Sequence, residues 1–217
     1  LEKAEKMGCV PITRVSEAYP LIVRKRLSLD SPGVLWAKGD TSLLDTPTVS
    51  LVGSRELGNA NEKFAKEVGT QAALQGYTLV SGNARGADKT AQNACLEAGG
   101  SVISVVADSL EIHKTKARVL YLSESSFDEP FSSQRALSRN RVIHSLGLKT
   151  FVAQSSLKMG GTWDGTVKNL RFGWSPVFCF DDGSAVVREL EQLGAAPIGQ
   201  EQLKDLSQLQ MAAESFL

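Results

Sequence analysis

Histidine is almost absent: His113 and His144 are the two in 217 residues. Neither stands beside a cysteine or carboxylate at catalytic or metal-ligand spacing, so Ser/His/Asp, Cys/His and metal chemistry find no support, and both read as surface or helix-face residues. Cysteine is scarce too. Cys9, Cys95 and Cys179 are far apart and form no Cys-x-x-Cys pair, which argues against a disulfide framework or a zinc site. They read as small apolar side chains in a reducing compartment, and a cytoplasmic location is expected. No apolar run reaches the roughly 18 residues of a membrane span, so no membrane partner is expected. The first six residues are charged and lack a signal core, and without an initiating Met the chain is expected to begin inside a longer protein. The formal net charge is zero, so the total gives no hint of a polyanionic partner. Its distribution does. Residues 130–171 carry seven Lys or Arg against the single acid Asp164, whereas residues 181–217 carry seven acids and two bases.

What the chain has is a repeated theme from Thr48 onward: a short β-branched run, a Gly/Ser turn, then a helical stretch. Strands are expected over 48–53, 77–81, 101–107, 118–123, 149–154 and 176–180. Helices are expected over 61–74, 87–98, 135–146, 162–172 and 185–193. Alternation at this pitch predicts βαβ crossovers, and the nearly continuous apolar strands predict burial on both faces. The fold class is therefore α/β, a Rossmann-like three-layer domain with a mostly parallel sheet over 46–198. Residues 1–45 read as a lead-in packed on that domain, with an edge strand over 34–37. Residues 199–217, with Leu203, Leu206, Leu209 and Met211, read as an amphipathic helical tail.

Four turns carry chemistry. Gly53-Ser54-Arg55 follows the first sheet strand, where glycine permits close approach, a hydroxyl can donate and a guanidinium can grip a phosphate in two-pronged fashion. Ser81-Gly82-Asn83-Ala84-Arg85-Gly86-Ala87-Asp88 follows the second. Its two glycines suggest a loop wrapped on a ligand or on a neighbouring loop, and Asp88 stands in the first turn of a helix. Arg135, Arg139, Asn140 and Arg141 are expected near a helix start, with Arg135 and Arg139 on one face. Gly160-Gly161-Thr162 opens another helix, with Thr162 as its N-cap and Trp163 available to stack on a base or to pack on the sheet. No Gly-x-Gly-x-x-Gly follows a strand, so a nicotinamide or flavin cofactor is not indicated.

In order and spacing these motifs resemble the DprA/Smf family of DNA-processing proteins, whose pattern is matched by Tyr19-Pro20, Lys38-Gly39, Gly53-Ser54-Arg55, Ser81 to Asp88, and Arg139-Asn140-Arg141-Val142-Ile143. Gln92 stands where that family usually has His. The resemblance covers about residues 10 to 180. It implies a homodimeric Rossmann-like domain that binds single-stranded DNA and passes it to the RecA recombinase, as in natural transformation. By the same resemblance Gly53, Ser54 and Arg55 line a phosphate pocket, Ser81 and Gly82 lie beside it, and Arg139, Asn140 and Arg141 border the DNA face. Gly160, Gly161 and Thr162 complete the candidate site. No catalytic residue, metal or cofactor is assigned. Two alternatives are a nucleotide-binding sensor and a nucleoside-monophosphate phosphoribohydrolase, whose Gly-Gly-x-Gly-Thr-x-x-Glu turn would meet Asn169 here in place of the Glu and would need Asp164 as a substitute.

Overall fold

The computed structural model describes residues 2–211; Leu1 and residues 212–217 lie outside it. In chain order the main elements are α1 (Glu2–Lys6), β1 (Cys9–Thr13), α2 (Leu21–Leu27), β2 (Val34–Gly39), β3 (Thr48–Val52), α3 (Asn59–Leu74), β4 (Thr78–Ser81), α4 (Ala87–Glu97), β5 (Val102–Val105) and β6 (Val119–Ser123). They continue with α5 (Ser133–Leu146), β7 (Thr150–Val152), α6 (Gly160–Phe172), β8 (Val177–Phe180), α7 (Ala185–Gln192) and β9 (Ala196–Ile198). One nine-stranded sheet has the order β1-β2-β6-β5-β4-β3-β7-β8-β9. The pairs from β6 through β9 are parallel; β1–β2 and β2–β6 are antiparallel.

The Rossmann-like α/β expectation is met, and side-chain alternation shows why both sheet faces are covered. Val49 and Leu51 point to the cluster under α3 and α4, built on Phe64, Val68, Ala91 and Cys95. Val52, Val80 and Ile103 point to the other side, against Val142, Ile143 and Leu146 of α5. Between these apolar positions Thr48 and Ser50 are buried and bond outward: Thr48 Oγ1 donates to Leu146 O and Ser50 Oγ to Ile143 O, both at 2.6 Å. These two bonds tie α5 across the start of β3 and leave no buried hydroxyl unpaired there.

The edges depart from expectation. The 34–37 run is not at the edge: β2 lies between β1 and β6, and β1 is the outer strand. β1 (CVPIT) carries a Pro, which suits a strand bonded on one side only. The three-residue β9 extends the opposite edge. In place of a helix after residue 199, the described residues form two 3₁₀ turns, Gln200–Lys204 and Leu206–Gln208. Leu203, Leu206 and Leu209 are buried in the α3/α4-side core, so the apolar periodicity was real but served docking. The remainder of the expected tail lies outside the described residues.

His144 is also placed differently. It is fully buried, and its Nδ1 accepts from Asn169 Nδ2 at 3.0 Å. Burial pushes its pKa down to about 3. His113 is mostly covered, stacking on Tyr121 and lying 2.7 Å from Asp108 Oδ1. All three cysteines are free and buried. Among the described residues no helix is long and apolar enough to cross a membrane.

Candidate nucleic-acid interface

The strand order reverses at β3. Later strands step away through β4, β5 and β6 on one side and through β7, β8 and β9 on the other. In open α/β sheets this switch leaves a crevice beyond the carboxyl ends of the two central strands, where ligands bind. Here the crevice is a cavity of about 820 Å³. Its walls come from the loops after β3 and β7, the start of α4, one face of α5 and the start of α6. That volume is within the range of small-ligand sites.

The cavity floor is two loops locked together. Gly86 has φ +82°, and a Cβ there would lie 2.4 Å from the Ser54 and Arg55 carbonyl oxygens. A Cβ at Gly53 would lie 2.4 Å from Ala87 Cβ. Ala87 N–H donates to Ser54 O at 3.1 Å, and Ser54 N–H to Gln154 O at 3.0 Å. The glycines therefore serve loop-on-loop approach, one of the two roles foreseen for the second turn. Gly53 is needed for this packing and also lines the cavity. The Ser54 hydroxyl lies 3.3 Å from Gln154 O and is engaged there. Arg55 is exposed and makes no ion pair among the described residues, whereas Arg85 at the same rim meets Glu56 at 3.0 Å.

Of the residues expected from α5, Arg139 and Asn140 line the cavity and Arg141 does not. Helix α5 starts at Ser133, capped by the Ser132 hydroxyl, so the Arg-Asn-Arg run sits at its middle rather than at its start. Arg139 is only 7% exposed; its Nη2 donates to Gly82 O at 3.0 Å and its Nε has no partner among the described residues. Asp88 is buried nearby and accepts from Ala84 N–H at 3.1 Å. Burial raises the Asp88 pKa, and the Arg139 charge opposes that rise. Burial likewise lowers the Arg139 pKa, with Asp88, Asp108 and Glu124 opposing. Arg139 is thus a fixed cation under the floor rather than a mobile surface arginine.

Ser81 and Gly82 lie behind the floor and do not line the cavity. Ser81 Oγ accepts from Gln92 Nε2 at 2.6 Å, and Gln92 also reaches Ser104 Oγ at 3.2 Å. The departure from His at position 92 therefore falls in a buried network. Arg141 turns to the other side of α5, where its Nη2 meets Glu124 at 3.0 Å.

At the opposite wall, Gly160, Gly161 and Thr162 open α6 and line the cavity. The N-cap is Met159, with no side-chain cap, and Thr162 lies inside the first turn rather than at the N-cap position. Asn140 Nδ2 donates to Gly161 O at 3.0 Å and fixes this end of α6 against α5. Two helix N-termini, α4 and α6, both without side-chain caps, thus border one cavity that holds Arg55 and Arg139. At α4 the first-turn N–H groups are largely engaged, Ala87 N–H with Ser54 O and Lys89 N–H with Ala84 O, so the free N–H groups and positive dipole end that favour an anion are those of α6.

A second depression of about 680 Å³ adjoins the first across Leu137, Asn140 and Gly160. It is edged by Arg141, Lys168, Phe172 and Trp174, the two rings stacked at 5.7 Å. Trp163 instead packs against the core. Phe172 and Trp174 escaped the sequence reading because they flank the C-cap Gly173 at the far end of α6, away from the strand-end turns. Asp164 pairs with Lys168 at 2.8 Å beside this second depression. Asn169 is fully buried among His144 and Ser175. Among the described residues no group of three His, Cys, Asp or Glu is placed to hold a metal ion.

Fold and crevice together define a Rossmann-like α/β domain with an open crevice at its topological switch point. The family model for DNA recombination-mediator protein A matches residues 11–169, and the chain belongs to that family. It is 32% identical over 141 residues to DNA processing protein DprA of Streptococcus pneumoniae, an alignment covering 60% of this chain and 50% of that one. It is 30% identical over 156 residues to protein Smf of Escherichia coli, covering 67% of this chain and 41% of that one. The chain spans about half the length of the curated relatives it matches. The solved structure of Streptococcus pneumoniae DprA superimposes with a TM-score of 0.81 at 26% identity, covering 97% of this chain and 78% of that one. DNA processing protein A from Helicobacter pylori, whose structure was described for its unique single-stranded DNA binding mode, shares the fold with a TM-score of 0.74 at 24% identity. That match covers 90% of this chain and 94% of the other.

Proposed function

We propose that this domain is a DNA-processing module that binds single-stranded DNA by its phosphate backbone and does so without catalysis. The observation that carries the reading is the convergence of the uncapped α6 N-terminus, Arg55, which is unpaired among the described residues, and the buried Arg139 on one crevice. Such a cradle suits a flexible, phosphate-bearing strand. The phosphate sits against Gly160, Gly161 and Thr162, with Arg55 closing over it. A neighbouring base packs in the adjoining depression on Leu137, Phe172 and Trp174. Arg139 and Asn140 hold the α5 wall, while Arg141, tied to Glu124, edges the adjoining depression.

Family membership supports a DNA-handling role, with the domain working in the cytoplasm as a homodimer that delivers its strand to a RecA-type recombinase. The hydrolase alternative is disfavoured by its own key positions. Asp164 is engaged with Lys168 outside the main cavity, and Asn169 is walled into the core. The test is fluorescence anisotropy with labelled oligo-dT and a blunt duplex of equal length at about 0.1 M salt, where charge contacts are only partly screened. Tighter binding to the single strand is expected, because a rigid duplex cannot bend a phosphate into the crevice. Equal or tighter duplex binding contradicts the proposal.

A further inference from the structure

Among the described residues two carboxylates line the main cavity, and they differ in kind. Asp88 is buried and accepts a backbone N–H, so it is part of the floor. Glu56 stands at the mouth with its side chain 88% exposed, and its one polar partner among the described residues is Arg85, at 3.0 Å. The pair spans the two loops that the Ser54–Ala87 hydrogen bond and the Gly86 contact lock together, so its members are held within reach of each other. Arg55, next to Glu56 in the chain, makes no ion pair among the described residues. One of the two rim arginines is therefore available to an incoming anion, and the other is occupied by a carboxylate.

We propose that Glu56 acts as an internal competitor of the strand: its carboxylate takes the place of a second phosphate on Arg85 and limits the site to one rim arginine. This rests on the reading of the crevice as a phosphate site. The physical reason is charge and geometry. A carboxylate presents the same two-oxygen edge to a guanidinium as a phosphate does, so the two compete for one planar donor set. A strand phosphate entering the cradle also meets the Glu56 charge at short range. The effect is specific to affinity and salt response, because an exposed ion pair contributes little to folding. Glu56 thus sets how tightly and how reversibly the domain holds its strand.

The experiment measures oligo-dT binding across a salt series for the wild-type chain and for Glu56→Gln, Arg85→Gln and the double variant. Glu201→Gln removes a comparably exposed carboxylate that pairs with Lys204, away from the cavity, and serves as the net-charge control. Glu56→Gln is expected to bind about three- to tenfold tighter at low salt. Its slope of log K against log salt should steepen by about 0.7, the signature of one added single-strand phosphate contact. In the Arg85→Gln background the same change should leave the slope unaltered, because the freed partner is missing. Glu201→Gln should change neither quantity. An unchanged affinity in Glu56→Gln overturns the proposal. So does a tighter isotherm without a steeper slope, a steeper slope that persists without Arg85, or an equal gain in Glu201→Gln. If binding is intact and Arg55-dependent while Glu56→Gln has no effect, only this proposal falls. If none of the proteins binds oligo-dT, the phosphate-site reading falls with it.

Discussion

Replacing Arg139 with methionine is expected to cost about 3–5 kcal/mol of stability at neutral pH, the range for removing one partner from a buried charge cluster. Methionine keeps most of the apolar stem, so the loss reads the charge and its bonds rather than a cavity. Gly82 O loses its donor, and Asp88 loses the cation that opposes its desolvation. The pH dependence follows from the direction of the Asp88 shift. Without Arg139 its folded-state pKa stands further above the unfolded value, so the folded state binds a proton that the unfolded chain has released. The destabilisation is then smallest below the unfolded carboxylate range and grows as pH rises through the folded-state pKa. Urea unfolding at pH 7 and pH 5 measures this; the deficit should be smaller at pH 5. Adding Asp88→Asn should recover part of it, since an amide oxygen still accepts from Ala84. A deficit below about 1 kcal/mol, or one that Asp88→Asn makes worse, contradicts this role.

His144 is expected to make the protein acid-sensitive. Its folded-state pKa of about 3 lies well below the ordinary value of 6.5. Between those values the unfolded chain binds a proton that the folded chain refuses, so stability falls as pH falls from about 6.5 toward 3. From pH 7 to pH 4 the expected loss from this one group is about 3 kcal/mol. The cause is complete burial, with Asn169 Nδ2 donating to Nδ1, so the proton sits on Nε2 and a second proton would have to displace that bond. Denaturant melts of the wild type and His144→Gln at pH 7, 5 and 4 isolate the contribution, because the exposed carboxylates titrate alike in both. The stability difference between the two proteins should shift toward the variant as pH falls. A difference constant across the series contradicts the assignment.

The strand-end turns were legible because they are local. Apolar runs ending in Gly-Ser-Arg, Gly-x-x-x-Gly-Ala and Gly-Gly-Thr mark strand–turn–helix junctions, and parallel topology brings such junctions to one end of the sheet. Gly53, Arg55, Gly160, Gly161 and Thr162 accordingly meet in one cavity. The misses were non-local. Arg139 and Arg141 differ by about 200° around a helix, so the spacing separates them, but which one faces the crevice depends on Asp88 and Gly82 from another βα unit. The burial of Ser81 depends on Gln92 and Ser104 across β4 and β5. The burial of His144 depends on α6 packing over it, which a single polar residue in a helix with mixed patterning does not announce. Strand β9 has three residues, too few for period-two alternation to register.

If the crevice between β3 and β7 holds strand phosphates, the deciding measurement is the oligo-dT isotherm of wild type and Arg55→Ala across a salt series, each with a melting curve. Arg55 is exposed and unpaired among the described residues, so the melts should coincide within about 0.5 kcal/mol. Binding should weaken by about 1.5–3 kcal/mol, the range for a charge-assisted contact in a partly desolvated site. The loss should be equal for oligo-dT and a mixed sequence, since phosphates carry no sequence information. The slope of log K against log salt should become shallower by about 0.7. Superimposable isotherms at every salt concentration, with both proteins folded, would contradict a phosphate site at the switch point.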